Sequence, residues 1–433
     1  MRRGFWWGAE AAFCLFALSV VLGAYTTIPL RLQGVSLQGG VSSPYSTAAM
    51  AVLLAGLLLL VAVRRHEFLF VARHGGPVNL LLLLALASAL WSDVPEVSLR
   101  RWLTLMAAVA FAYYLAATHP IARVLRRVAA AIGLSLLASA ALALAFPEAG
   151  VMREPTLAGA WAGVYGHKST LGGVTVIGTL CFGWLWRNDP RRRPLHALGV
   201  LLCAAMAVLS QSRTAQLTIL LVVSFSLFLP LLRLPGLARI WAVYGVVFTG
   251  TGFGALLAVF FGDIMAWLGK DPSLSGRVPA WSSLLDMAAE RPLGGHGYNA
   301  FFVLGNDEIQ NVWRHSGWDM WEAHNAFLDI TLQLGLPGLL LVSWIILELI
   351  RRSAGEWAEG ALPWASFALV FALTHTATSL VESNLFRTGD IVTLLLALLL
   401  VALRLRRAAQ AAAAQAAAPR PGRRLHPAYA LYR

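Results

Sequence analysis

Apolar and polar positions do not alternate along this chain; the apolar residues come in long unbroken runs. Twelve runs fall at about 6–25, 48–63, 77–91, 102–118, 128–147, 170–187, 194–210, 214–233, 240–262, 325–350, 361–381 and 390–404. A helix needs about 20 apolar residues to cross the hydrocarbon core. A lipid-exposed backbone must also satisfy its own hydrogen bonds, so helix is the predicted state of each run. The pattern predicts an all-α, polytopic integral membrane protein with about 12 transmembrane helices. Helices 1–9 occupy residues 1–262, a large loop takes 263–323, helices 10–12 take 324–404, and a tail runs over 405–433. Within the loop, residues 279–290 read as an amphipathic helix. Trp281, Leu284, Leu285 and Ala288 recur at helical spacing, and Pro279 lies in the first turn.

Composition agrees with this reading. The 433 residues are 58% hydrophobic and 13% charged, against about 45–50% and 25% in soluble domains. A water-soluble enzyme and a disordered chain are both excluded. Arg2 and Arg3 precede the first run without an A-x-A cleavage site, so an uncleaved first span is expected. Cys14, Cys181 and Cys203 lie in apolar runs without metal-ligand spacing, and neither a disulfide nor zinc is expected.

The formal charge is +13, from 34 basic and 21 acidic residues. With twelve spans, both termini share one side and 23 of the 34 basic residues fall there. The positive-inside rule makes that side cytoplasmic. Topology therefore accounts for most of the excess, and no nucleic-acid partner is needed. The 263–323 loop falls outside and carries four basic and eight acidic residues. The Ala/Gln/Arg-rich tail reads as a frayed cytoplasmic helix or disorder, drawn to anionic membrane lipids.

Four polar clusters lie on the external side. Ser210-Gln-Ser-Arg213-Thr-Ala is a tight turn between two spans. Arg213 offers a forked donor set suited to phosphate, or it snorkels at the interface. Arg277, after Gly276 and at the start of the loop helix, reads as an anion site or as a solvated loop arginine. Trp321-Glu322-Ala-His324-Asn325 stands where the loop re-enters the membrane. His324 reads equally as a general base or, with Asn325, as a helix cap. Beyond it, Gly335-Leu-Pro337-Gly338 is expected to kink or break the span and open space beside it. Tyr165-Gly-His167-Lys168-Ser169 precedes the sixth span, and its order is not that of an ATP-binding P-loop. His375, Glu382 and Arg387 surround the end of the eleventh span. Glu382 reads as functional there, or as the partner of Arg387 in a structural ion pair.

The motifs also occur together in one order over residues 90–340: Trp91-Ser-Asp-Val-Pro-Glu-Val-Ser-Leu-Arg100, Gly166-His-Lys-Ser-Thr-Leu-Gly172, Ser210-Gln-Ser-Arg-Thr-Ala215, Arg277 with Trp281, Arg291-Pro-Leu-Gly-Gly-His-Gly297 and His324-Asn-Ala-Phe-Leu328. The set resembles the bacterial O-antigen ligase and exopolysaccharide polymerase superfamily. The resemblance implies a polytopic glycosyltransferase of the inner membrane with its active site facing the periplasm. Its donor would be an undecaprenyl-diphosphate-linked glycan, and its acceptor lipid A–core or another glycan repeat. It implies that Arg213 and Arg277 hold the diphosphate and that His324 serves the acceptor as base or positioning group. Lys168, His167, Asn325 and Glu382 are possible substrate contacts. The sequence departs from the family where a frequent His-Lys-Asn is His167-Lys168-Ser169 and where Glu-Leu-Gly is Gln333-Leu334-Gly335. No paired aspartates mark a metal site, so a cofactor-free, metal-independent and inverting transfer is expected. The competing class is a transporter or flippase for a lipid-linked oligosaccharide, which would carry its polar groups through the bundle rather than at one face.

Overall fold

The structure, a computed structural model, describes residues 2–32, 43–154, 157–241, 245, 277–303, 306–316, 320–387, 389–417 and 427–431. The described residues are helical, without strands; one isolated bridge joins Val151 to Trp161. In chain order the α-helices are α1 (Arg2–Val21), α2 (Ile28–Leu32), α3 (Pro44–Val63), α4 (Arg65–Ala72), α5 (Pro77–Ala87), α6 (Pro95–Thr118), α7 (Ile121–Ala145) and α8 (Pro147–Gly150). They continue with α9 (Lys168–Asn188), α10 (Arg193–Leu209), α11 (Arg213–Phe228), α12 (Arg277–Glu290), α13 (Asp307–Ser316), α14 (Ala326–Ala358), α15 (Pro363–Thr378) and α16 (Ile391–Ala417).

Seven described helices are long and apolar enough to cross a membrane: α3, α6, α7, α9, α10 with its preceding turn, α11 with its following turn, and α14. The pair α4 and α5, bent by 91°, makes an eighth if read as one broken span. The chain is therefore an all-α, multi-pass membrane protein. The runs at 6–25, 361–381 and 390–404 are helical as α1, α15 and α16. The run at 240–262 lies almost wholly outside the described residues.

Burial sorts the apolar runs by what they face. Leu58, Leu59 and Val63 of α3 are exposed on the protein surface, as suits a lipid-facing helix. Every residue of α16 from Leu394 to Leu403 is at most 1% exposed, so this helix is enclosed all round. It packs on α6 and α14. Lipid supplies no hydrophobic drive between helices, so such contacts rest on close packing and buried polar links. One link is a buried fork: Arg404 of α16 donates from Nε and Nη2 to the two oxygens of Glu348 on α14, at 3.0 and 2.6 Å. Arg404 also donates to the His74 carbonyl at 3.4 Å, within the bend between α4 and α5. The described part of the tail takes the helical one of the two expected states. Helix α16 continues to Ala417, and Tyr429 packs edge-on against Phe70 of α4 at 5.0 Å.

At the opposite end of the bundle, α12 and α13 cover the start of α14. Ala280, Leu284 and Ala288 of α12 form a second apolar core with Phe301, Leu328 and Leu332. The expected helix is present with most of the expected inner face; Leu285 points outward at 59% exposure. Arg277 opens α12, but its side chain lies outside the described residues.

The expected break in α14 occurs at Gly335, at φ 64° and ψ −166°. The space beside it is filled by the Arg291–Gly297 motif. His296 and Gly297 donate their backbone N–H to the carbonyls of Leu332 and Gln333, at 2.8 and 3.0 Å. Leu336 returns a bond to the Pro292 carbonyl at 2.7 Å. The broken helix and the loop therefore satisfy each other's backbone, as burial requires. A Cβ on Gly295 would lie 2.5 Å from the Gln333 carbonyl carbon, and one on Gly335 would lie 2.6 Å from the Pro292 oxygen.

Candidate functional site

The cluster around His324 is assembled from three elements that meet at the α12–α13 end of the bundle. His324 takes a left-handed φ of 51° immediately before α14. Its Nδ1 stands 3.3 Å from Oε1 of Glu322 and 3.5 Å from Oε2 of Glu382. Glu322 is also paired with Arg387. Glu382 accepts a hydrogen bond on Oε1 from the hydroxyl of Thr214 at 3.0 Å. The structural pair proposed for Glu382 and Arg387 is thus replaced: Arg387 takes Glu322, and Glu382 turns to α11 and His324.

Asn325 is the N-cap of α14. Its Oδ1 accepts from the N–H groups of Phe327 and Leu328, both at 3.1 Å, and its Nδ2 donates to the Leu380 carbonyl at 3.3 Å. Capping satisfies donors that a helix start leaves open. The cap is Asn325 and not His324, so the imidazole is released from that role. The Ala326 N–H donates to the Ser379 carbonyl at 2.8 Å, which fixes the α15–α16 connection against the start of α14.

Arg213 is the first residue of α11 and is exposed. Ser212 caps that helix through a bond from the Ala215 N–H at 3.4 Å. Lys168 is the first residue of α9 and is half-buried. His167 is the N-cap of α9, its Nδ1 accepting from the Ser169 N–H at 3.2 Å. The two helices pack together. At Gly172 they come so close that a Cβ would meet Ser212 and Ala215 at 2.8 Å. Two helix N-termini, each opened by a cationic side chain, therefore stand side by side. Such ends attract anions through free N–H groups and the helix dipole.

A polar cavity of about 10 Å³ lies behind the His324 cluster, lined by Asn299, Glu322, Asp329, Gln333, Ser383 and Arg387 among others. That is the space of about one water molecule. A much larger cavity, of about 800 Å³, is lined by Trp184, Trp186, Arg187, Arg233 and Trp357. Its walls are mostly apolar, and Arg213, Lys168, Glu322, His324 and Glu382 do not line it. Glu322, His324 and Glu382 offer donor atoms within 4.8 Å of one another, a set that suits a divalent cation by type. In this arrangement Arg387 already engages Glu322.

The loop motifs hold this end together. Asp93 accepts from Arg291 at 2.6 Å and meets Nδ1 of His296 at 2.9 Å, and Trp91 donates to the Gly294 carbonyl at 2.9 Å. Burial alone would raise the Asp93 carboxyl, but its bonds to Arg291 and His296 and their nearby charge hold it below its ordinary range. The tryptophan–aspartate motif thus acts as a clamp on the loop that fills the break in α14.

Residues 198–343 match the family described as O-antigen ligase. The superfamily indicated by the motifs is supported. The family segment includes Arg213, Arg277 and His324, while Lys168 and Glu382 lie outside it. The chain is also 27% identical over 270 residues to the exopolysaccharide production protein ExoQ of Rhizobium meliloti (strain 1021). That match covers 59% of this chain and 60% of the relative's length.

Proposed function

We propose that this O-antigen ligase-like protein transfers a glycan from undecaprenyl diphosphate to an acceptor sugar hydroxyl at the periplasmic face of the bacterial inner membrane. The observation that carries this reading is the meeting of an anion-attracting pair of helix ends with an imidazole. Arg213 and Lys168 open the two adjacent helices, and Thr214 leads through Glu382 to His324.

The chemistry follows from the charges that develop. As the acceptor oxygen attacks the anomeric carbon, the bond to the diphosphate oxygen breaks and negative charge grows on the departing diphosphate. Arg213, helped by Lys168 and by Arg277, stabilises that charge as it develops. His324 takes the proton from the acceptor hydroxyl, a role worth about 10²–10⁴-fold in rate. Attack opposite the leaving group inverts the anomeric centre. The chemistry asked of these side chains needs no metal, and chelation of divalent ions is expected to leave the rate unchanged.

The test is transfer by the full-length protein in proteoliposomes supplied with an undecaprenyl-diphosphate glycan. Offering lipid A–core in one arm and a second lipid-linked repeat in another separates ligation from polymerisation. Arg213→Ala, Arg277→Ala and His324→Ala should each lose transfer while remaining folded. Full activity in the double arginine variant would overturn the diphosphate clamp.

A further inference from the structure

We propose that Glu382 is a positioning residue that couples the arginine-bearing turn of α11 to the imidazole of His324. This rests on the glycan-transfer reading above for its consequence, but its geometry stands by itself. The two oxygens of one carboxylate divide between two elements: Oε1 accepts from Thr214 at 3.0 Å, and Oε2 lies 3.5 Å from His324 Nδ1. Thr214 is the neighbour of Arg213, and 168 residues of chain separate it from Glu382.

The connection that carries Glu382 is held by hydrogen bonds. Asn384 donates to the Thr378 hydroxyl at 2.9 Å, Asn325 donates to the Leu380 carbonyl at 3.3 Å, and Ala326 donates to the Ser379 carbonyl at 2.8 Å. The connection that carries Glu382 is therefore tied to the helix that His324 precedes. Both carboxylates face the same Nδ1: Glu322 at 3.3 Å, with its other oxygen paired to Arg387, and Glu382 at 3.5 Å, with its other oxygen on the Thr214 hydroxyl of the donor-side turn. A carboxylate facing Nδ1 favours the tautomer with its proton there and leaves the Nε2 lone pair to receive one. The two carboxylates together orient the imidazole, and Glu382, through Thr214, ties its position to the turn that meets the diphosphate. Small errors in such placement cost far more rate than binding.

Two measurements on the full-length protein test this. In the first, steady-state transfer is compared for Glu382→Gln, Thr214→Val, Thr214→Ser and the double variant Thr214→Val/Glu382→Gln. Each of Glu382→Gln and Thr214→Val should lower kcat by roughly 10–100-fold with donor KM little changed. Thr214→Ser should recover most of what Thr214→Val loses. The double variant should be no worse than the poorer single one, because the two groups act as a unit. Multiplying losses, or unchanged kcat in either single variant, would overturn the coupling.

The second measurement needs no substrate: the rate at which diethyl pyrocarbonate modifies His324, followed by peptide mass. Glu382→Gln and Thr214→Val should both shift that rate severalfold in the same direction, while the distant His66 is unaffected. An unchanged His324 rate in both variants would overturn the proposal. Should Glu382→Gln fail to fold, Thr214→Val carries the test by the same two readouts. Absence of transfer by the wild-type protein would instead count against the glycan-transfer reading, with the labelling result still deciding the coupling.

Discussion

Asp93 and His296 stand 203 residues apart in the chain and meet at 2.9 Å, carboxylate oxygen to Nδ1. With Arg291 on its other oxygen, Asp93 holds the loop that fills the break in α14. Its folded-state pKa is depressed, so its stabilising contribution is complete above the ordinary carboxyl value of 3.8 and is lost as pH falls below that. Asp93→Asn is therefore expected to lower the thermal midpoint at neutral pH. The gap from wild type should close as the pH is taken below about 4, the ordinary carboxyl range. Melting curves by tryptophan fluorescence across pH check both the sign and the window.

The interlock of Gly295 and Gly335 gives a second expectation. Both residues have positive φ, 62° and 64°, and each faces backbone from the other segment at the place of a Cβ. Gly295→Ala and Gly335→Ala should each destabilise the protein, by about 1–3 kcal/mol from backbone strain alone, with further loss from the collision. Gly183 in α9 has nothing within 4 Å of an added Cβ, so Gly183→Ala should be neutral or mildly stabilising. Thermal unfolding of the three variants side by side decides this.

The fork between Arg404 and Glu348 joins α16, α14 and the α4–α5 bend. Arg352 adds a third bond to Glu348, at 2.6 Å. Glu348 keeps its bond to Arg352 when Arg404 is removed, so Arg404→Leu should destabilise by less than the roughly 3–5 kcal/mol of a buried charge left without any partner. Arg404→Leu with Glu348→Leu should recover much of that loss. Denaturation in detergent of the two single variants and the double one measures the recovery directly.

These relationships show where sequence reasoning reaches and where it stops. Run length is a local property, so the apolar runs foretell α3, α6, α7, α9, α10, α11 and α14 without any tertiary information. The break at Gly335 is legible for the same reason, since Gly335-Leu-Pro337-Gly338 is contiguous. That the Arg291–Gly297 loop fills the break is not legible, because nothing local says which distant N–H groups will meet the Leu332 and Gln333 carbonyls. Around the site, Arg213 and His324 stand out as polar residues at the ends of apolar runs. Thr214 and Glu322 sit beside them but carry no local signal of their own. Their partners, Glu382 and Arg387, lie on another connection, and only the packed bundle shows that Arg387 goes to Glu322 while Glu382 turns to Thr214 and His324. Asn325 shows the opposite case: its capping role follows from its residue type and position, and the structure bears it out.

The central claim is that Arg213 holds a departing diphosphate while His324 serves the acceptor. It is tested most directly by single-turnover transfer in proteoliposomes containing undecaprenyl-diphosphate glycan and an acceptor, comparing wild type, Arg213→Ala and His324→Ala at saturating acceptor. The His324 variant should lose about 10²–10⁴-fold in the rate of the chemical step while donor still binds, and the Arg213 variant should lose both donor affinity and rate. Wild-type rates in either variant, with both proteins folded, would contradict it.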